Sequence, residues 1–257
     1  MTSLLRMELG KVLRLGSVRF SLVLVVLFPL LWAYAPGIYK VYDFYLVSAY
    51  QVPALSLLSS MRFLLPLLVA ISAAELLGVE IANGTLQTVL LRPVTRSQWL
   101  LSKLLIVTVY PFAVLAVFLL VSLLAGAPYG YGSFVGGTGL GQAGLLGQGT
   151  MAAGQAVGEV LRAYLVAGYS LVPVALLSML LTVVFMNAAG GALATLSVLI
   201  FMQLLVVFPA LTPYLLTTQL DAYAKPVSNL GWMLALIALY AAAFAAASVV
   251  LFERKDF

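Results

Sequence analysis

The sequence contains no cysteine and no histidine, and only 8% of its residues are charged. The absence of these two residue types excludes disulfides, thiolate nucleophiles, most zinc sites and every Ser–His or Cys–His catalytic pair. A soluble domain carries roughly 25% charged residues, so the low charge excludes that class as well. Hydrophobic residues make up 64% of the 257 positions, and the mean hydropathy is +1.14. This composition is typical of membrane proteins.

Six long apolar windows follow one another along the chain. Each holds about 20 residues, the length that an α-helix needs to cross about 30 Å of hydrocarbon. The windows are continuously apolar rather than alternating, which disfavours a transmembrane barrel. We predict an all-α integral membrane fold, with residues 1–257 as a single transmembrane domain and spans near 20–38, 60–79, 104–127, 163–186, 189–209 and 229–252.

The basic residues predict the orientation of these spans. The net charge of +5 could indicate nucleic acid, but the cations lie in short segments that flank apolar runs, so we expect no nucleic-acid partner. With both termini in the cytoplasm, the outer segments hold four basic residues and the cytoplasmic segments hold nine. The nine are Arg6, Lys11, Arg14, Arg19, Arg92, Arg96, Lys103, Arg254 and Lys255. This excess favours a multi-pass protein of the inner (cytoplasmic) membrane with cytoplasmic termini.

The N-terminal segment allows two interpretations. A basic start, an apolar stretch from Phe20 and the sequence Ala33-Tyr34-Ala35 together resemble a cleavable signal peptide. That interpretation is disfavoured because the basic region is long and contains Glu8, and because cleavage would leave an odd number of spans. We favour an interfacial amphipathic helix within residues 1–19, covering about 3–18, on the inner membrane surface.

A glycine-rich segment separates the third and fourth predicted spans. Residues 126–158 contain 12 of the 21 glycines, and we interpret residues 126–160 as an outer loop. Gly139-Leu-Gly141-Gln-Ala-Gly144 matches the dinucleotide-binding pattern letter by letter, but no strand precedes it, so the match is attributed to chance. The end of the loop could be helical, with Glu159 and Arg162 spaced to pair across one turn.

Local sequence signals divide the segment between the second and third predicted spans. Asn83-Gly84 interrupts the helix that leaves the membrane, and Thr85 can cap a new one. That helix must end before Pro93, because proline disfavours helical geometry in the preceding residue. Thr95 and Gln98 then form a capping box for the third span. The result is a short cytoplasmic helix whose leucine-rich face needs a partner surface.

This segment resembles the membrane subunits of the ABC-2 family of ATP-driven exporters. In that family a Glu precedes Gly-Thr-Leu by four residues, followed by Leu-Leu, a Pro and an Arg. This chain has Glu80, Gly84-Thr85-Leu86, Leu90-Leu91, Pro93 and Arg96 in that order. The ending, residues 252–257, and the six-span layout are also similar to that family, although the glycine-rich loop is longer than its pattern.

The resemblance implies a type V exporter-like fold and a specific set of partners. Two permease subunits would pair, as a homodimer or heterodimer in membrane lipid, and each would dock on a separate ATPase subunit that binds ATP and Mg²⁺. This chain has no phosphate-binding loop of the GxxxxGK[ST] type, so we expect no cofactor, no metal and no enzymatic activity of its own. Residues 80–98 would be the coupling segment, with docking residues Glu80, Gly84, Thr85, Leu86, Leu90, Arg92, Pro93 and Arg96.

Glu75 is the only ionisable residue that lies well within a predicted span. An intramembrane carboxylate is a candidate for a proton or substrate site, but a structural role near the inner membrane end is favoured. The few polar groups in the spans suggest a hydrophobic or amphipathic substrate. The alternatives are an ion- or proton-coupled secondary transporter, which would rely on Glu75, and a non-transporting membrane anchor of a complex.

Overall fold

A computed structural model describes residues 10–35, 46–84, 96–140, 149–225 and 230–255, which are mostly helical. The α-helices, in chain order, are α1 (Gly16–Tyr34), α2 (Gln51–Ser60), α3 (Leu64–Ala82), α4 (Arg96–Gly126), α5 (Ala153–Phe185), α6 (Ala188–Leu205), α7 (Leu216–Gln219) and α8 (Leu230–Glu253). Short 3-10 helices cover Ala127–Tyr129, Thr212–Tyr214 and Leu220–Ala224. Strands β1 (Phe134–Val135) and β2 (Thr150–Met151) pair antiparallel.

Six of these helices, α1, α3, α4, α5, α6 and α8, are long and apolar enough to cross a membrane. This confirms the prediction of six spans, and the chain is a multi-pass membrane protein. Two spans are longer than expected, because α4 has 31 residues and α5 has 33. At 1.5 Å per residue these helices are about 46–50 Å long, which exceeds the roughly 30 Å of a hydrocarbon core. Both therefore extend beyond the lipid.

The central helix is α5, which packs against α3, α4, α6 and α8. It is apolar on all sides, and 72% of its most hydrophobic window is buried inside the protein. This burial makes α5 the core of the bundle. In α6 and α8, only 22% and 17% of the most hydrophobic window is buried inside the protein. Most of the apolar surface of these two helices is therefore available to lipid.

Small residues bring α3, α5 and α6 into close contact. Asn187 caps α6 by accepting hydrogen bonds from the backbone N–H groups of residues 189 and 190. A Cβ atom on Gly191 would lie 2.8 Å from the backbone of Thr182, and one on Gly78 would lie 2.7 Å from Cα of Ala188. The small residues at 188–192 therefore allow close helix packing inside the subunit.

Helix α2 lies outside the predicted spans, yet it is part of the packed bundle. Eight of its ten residues are buried, and it packs against α1 and α4. The side chain of Gln51 holds its start, because Oε1 accepts from the backbone N–H of Val47 at 2.9 Å and Nε2 donates to the carbonyl of Gly137 at 3.3 Å. Ten residues are too few to span a membrane, so the hydropathy pattern gave no sign of this helix.

The described part of the glycine-rich segment contains more regular secondary structure than a loop. It contains the β1–β2 pair, and α5 begins within it at Ala153, as expected for its end. The expected pair between Glu159 and Arg162 is wrong. Glu159 instead accepts a hydrogen bond from Thr138 at 2.7 Å, and Arg162 donates to the carbonyl of Leu140 at 3.2 Å, because loop groups lie closer to each side chain. Residues 141–148 lie outside the described part.

The N-terminal prediction is correct only in part. Residues 10–12 are helical, but the chain turns at residues 13–14 and α1 begins at Gly16. The expected interfacial helix therefore does not continue to residue 18, and residues 1–9 lie outside the described part. The first span begins four residues before the predicted boundary, because Ser17 gains a hydrogen-bond acceptor from another helix.

Candidate functional site

Glu80, in the last turn of α3, lies at the centre of a cluster of charges. Its Oε1 atom is 2.8 Å from Nζ of Lys11 and 3.1 Å from Nζ of Lys103. Only 8% of Glu80 is exposed. A carboxylate that loses this much hydration is stable only when nearby cations compensate for it. The pairing joins the N-terminal segment, α3 and α4 at a single oxygen atom.

Lys103 is the most deeply buried charge in the described part of the chain. It lies two turns into α4 and has no exposed surface. Its Nζ donates to the carbonyl of Leu76 at 3.1 Å and lies 4.9 Å from the ring centroid of Trp99, one helical turn earlier. The carboxylate of Glu80, this carbonyl and the aromatic face together replace the water that the ammonium group has lost.

Glu75 binds the start of another helix. Its Oε2 accepts a hydrogen bond from the backbone N–H of Ser17 at 2.8 Å, which satisfies a free amide at the N-terminus of α1. Glu75 therefore has a structural contact with a helix terminus. One turn away, Ser72 Oγ accepts a hydrogen bond from Tyr110 at 2.8 Å and lies 3.2 Å from Ser21 Oγ, inside the bundle.

The C-terminal residues pack against the same end of the bundle. Nζ of Lys255 donates to the carbonyls of Val183 and Val184 at 2.6 and 2.7 Å. These carbonyls belong to the last turn of α5, where a cation is favoured by the helix dipole. Phe252 is fully buried and stacks on Trp99, with ring centroids 5.4 Å apart. The C-terminal segment is therefore part of the fold.

We call these residues the basal layer: Lys11, Glu75, Glu80, Trp99, Lys103, Phe252 and Lys255. It joins the starts of α1 and α4 to the ends of α3, α5 and α8, and the contact between Gly78 and Ala188 adds the start of α6. One end of each of the six spans therefore meets here. Both described ends of the chain, residues 10 and 255, lie at this end of the bundle.

The predicted docking residues fall into three groups. Glu80 is buried in the basal layer. Gly84 follows the end of α3 with φ +63°, a left-handed conformation that favours glycine, and Arg96 is the first residue of α4. The others lie outside the described residues: Thr85, Leu86, Leu90, Arg92 and Pro93. Residues 85–95 thus connect two helix ends that the basal layer holds in place.

The sequence interpretation missed the role of Lys103. It assigned this residue to the cytoplasmic segment before the third span, whereas the structure includes Lys103 in α4 and buries its side chain. A signal was present, since Trp99 and Lys103 are four residues apart and share a helix face within an apolar run. The pairing with Glu80 and Lys11 could not be read from spacing, because the three residues are distant in the chain.

Residues 20–257 match the family described as "Protein of unknown function (DUF2705)". The chain belongs to the DUF2705 family. The match begins within α1 and covers the later spans, so Lys11 is the one basal-layer residue outside it. No curated protein matches the chain.

The site of this DUF2705 protein connects the ends of several helices. Its polar groups bind partners on other helices, and the Glu80–Lys103 pair is shielded from water, whereas the Lys11 side chain is 42% exposed. Within the described ranges, no three acidic side chains converge on a point where a metal ion could bind. The site therefore couples helix ends to one another.

Proposed function

We propose that this DUF2705 protein is the membrane-spanning permease subunit of an ATP-driven exporter. It would pair with a second permease subunit and use ATP that a separate subunit hydrolyses with Mg²⁺. The proposal rests on the motif within residues 80–98 and on one structural observation: both helix ends next to this segment are anchored in the basal layer. A force applied to the segment would therefore reach several spans at once.

The proposal gives the docking residues two roles. Leu86, Leu90 and Arg92 belong to the segment that would contact the ATPase subunit. Glu80 is a positioning residue, because its carboxylate is occupied by Lys11 and Lys103 inside the protein. When the segment moves, this ion pair would require α3 and α4 to move together, and Lys11 would carry the movement to the N-terminal segment.

The proposed substrate is hydrophobic or amphipathic. The buried polar groups of the spans are mostly hydroxyls that bind carbonyls of their own helices, as Ser122, Ser170 and Thr182 do. Such groups have little capacity left to replace the water around a hydrophilic ion. A molecule that passes along these helices would therefore need to be largely apolar.

The test is a pull-down of the tagged full-length chain from its native membranes in mild detergent, with mass spectrometry and an ATPase assay. We expect a phosphate-loop ATPase subunit to co-purify. The double substitution Leu86→Asp/Leu90→Asp should reduce its recovery at least tenfold, because two carboxylates would enter an apolar contact. The matched control is Val135→Asp, an exposed apolar residue at the opposite end of the bundle, which should change nothing.

Intact protein that recovers no ATPase subunit would contradict the proposal. An ion- or proton-coupled carrier is the second candidate, and the hydrogen-bonded chain of Ser21, Ser72 and Tyr110 near Glu75 favours it. Transport by the purified chain alone, driven by a proton gradient, would support that candidate. Recovery of a stable complex without ATPase activity or transport would indicate a membrane anchor.

A further inference from the structure

A cleft of about 510 Å³ lies between the start of α3, the second half of α6 and the short helices that follow α6. One wall is a continuous stripe of α6: Leu196, Leu199, Ile200, Gln203 and Leu204. These residues are spaced as neighbours on one helix face. The stripe extends over eight residue steps, which is about 12 Å of helix. The cleft is therefore elongated along the helix.

The two ends of the cleft differ in chemistry. Leu196 lies near the middle of α6, and the wall around it is apolar. Gln203 lies near the end of α6 that is remote from the basal layer, and Arg62 and Asp221 line the cleft as well. Arg62 lies two residues before the start of α3, at that same remote end. The cleft thus runs from a charged mouth near one membrane surface towards the apolar middle.

The charges at the mouth are separated. Among the described residues no ion pair within 4.0 Å joins Arg62 to Asp221, although both line the same cleft. Partial burial raises the pKa of the Asp221 carboxyl, while Lys225 and Arg62 act in the opposite direction. A carboxylate in such a position is stabilised by an additional cation. The mouth therefore offers one site for an anionic group and another for a cationic group.

Thr217 adds an unused hydrogen-bonding group. It lines the cleft, it is buried, and its Oγ1 has no hydrogen-bond partner among the described residues. Buried hydroxyl groups nearly always have a partner. Rotation of the Thr217 side chain about its Cα–Cβ bond would allow its hydroxyl group to donate a hydrogen bond to an oxygen atom of a bound molecule.

We infer that this cleft binds one phospholipid with a zwitterionic headgroup, from the leaflet remote from the basal layer. The phosphate contacts Arg62, the headgroup cation contacts Asp221, and an acyl chain lies along the α6 stripe. Charge complementarity favours a zwitterionic headgroup, because the two charged side chains that line the cleft, Arg62 and Asp221, have opposite signs. Lys225, which also acts on Asp221, is not part of the lining. The inference does not depend on an ATPase partner, since lipid binding is measured on this chain alone.

The experiment is native mass spectrometry of the full-length chain, stripped of lipid and then exposed to mixed micelles. The micelles contain equal amounts of phosphatidylethanolamine and phosphatidylglycerol, of matched chain length. We expect one retained lipid per chain and at least a tenfold preference for phosphatidylethanolamine. Leu196→Trp fills the cleft and should lower retention at least tenfold. Phe201→Trp, on an exposed face of α6 away from the stripe, should retain the lipid.

Two further variants test the headgroup contacts. Asp221→Asn should abolish the preference for phosphatidylethanolamine while retaining phosphatidylglycerol, and Arg62→Gln should lower the retention of both lipids. If Leu196→Trp is not monodisperse, Ile200→Trp replaces it, with Phe201→Trp as its exposed control. Equal retention by the filling and control variants would overturn the inference. Equal binding of the two lipids by the unsubstituted chain would also overturn it.

Discussion

At the scale of single residues, the burial of Lys103 explains why the basal layer needs Glu80. An ammonium group with no exposed surface has lost its hydration, and a carboxylate 3.1 Å away provides the largest compensation. Removing one partner of such a pair is more destabilising than replacing both, because the remaining charge stays buried. The carbonyl of Leu76 and the ring of Trp99 compensate only in part.

Glu80→Gln should therefore destabilise the protein by about 3 kcal/mol, near the lower end for a broken buried pair. The double variant Glu80→Gln/Lys103→Met should recover most of that loss, because it removes the buried cation as well. Reversible unfolding in detergent measures both free energies. Glu253→Gln is the control, since Glu253 is exposed at the end of α8. A double variant less stable than Glu80→Gln would show that the ion pair does not set the stability of this end.

At the scale of elements, close contacts at glycine determine how α5 and α6 pack. The two helices are joined by a turn in which Met186 has φ 52° and Asn187 caps α6. The helices then approach so closely that a side chain at Gly191 would meet backbone atoms of Thr182. Backbone cannot rotate aside as a flexible side chain can, so this position admits only glycine without a helix shift.

Gly191→Ala should destabilise the protein by about 1–3 kcal/mol, the usual range for overpacking, because α6 must move away from α5. Gly190→Ala is the matched control at the neighbouring position. Its added Cβ would lie 3.3 Å from Cβ of Phe185, which a small shift relieves, whereas the contacts at Gly191 are 2.8 Å or shorter, so we expect little change. Thermal unfolding in detergent, followed by tryptophan fluorescence, compares the two. Equal effects of both substitutions would mean that the contact with Thr182 does not control the packing.

At the scale of the whole molecule, alternation of the six spans brings the start of α1 and the end of α8 to the same face. The basal layer uses this arrangement, because Lys11 and Lys255 can then bind α3 and α5 from opposite ends of the chain. The β1–β2 pair and the cleft at Arg62 lie at the other end. The two faces of the bundle therefore carry different sites.

The absence of cysteine makes this topology testable with single substitutions. Asn83→Cys and Arg254→Cys lie at the basal end, and Gly132→Cys lies in the loop before β1; all three positions are exposed. A membrane-impermeant maleimide added to intact cells should label Gly132→Cys alone. Asn83→Cys and Arg254→Cys should react only after the cells are opened. The segments at the basal end carry the excess of basic residues, which favours a cytoplasmic location for that end. Labelling of all three in intact cells would contradict the arrangement.

The sequence alone determined the membrane class and the six spans, because both follow from local composition and the length of the apolar runs. The capping signals at Thr95 likewise predicted where α4 begins, at Arg96. The buried helix α2, the partners of Lys103 and the cleft along α6 were decided by tertiary structure. Each depends on residues that are distant in the chain, such as Lys11, Glu80 and Lys103, and no local pattern specifies which of them meet. Hydropathy measures how each segment partitions into lipid, whereas the packing of one helix on another decides which polar groups come together.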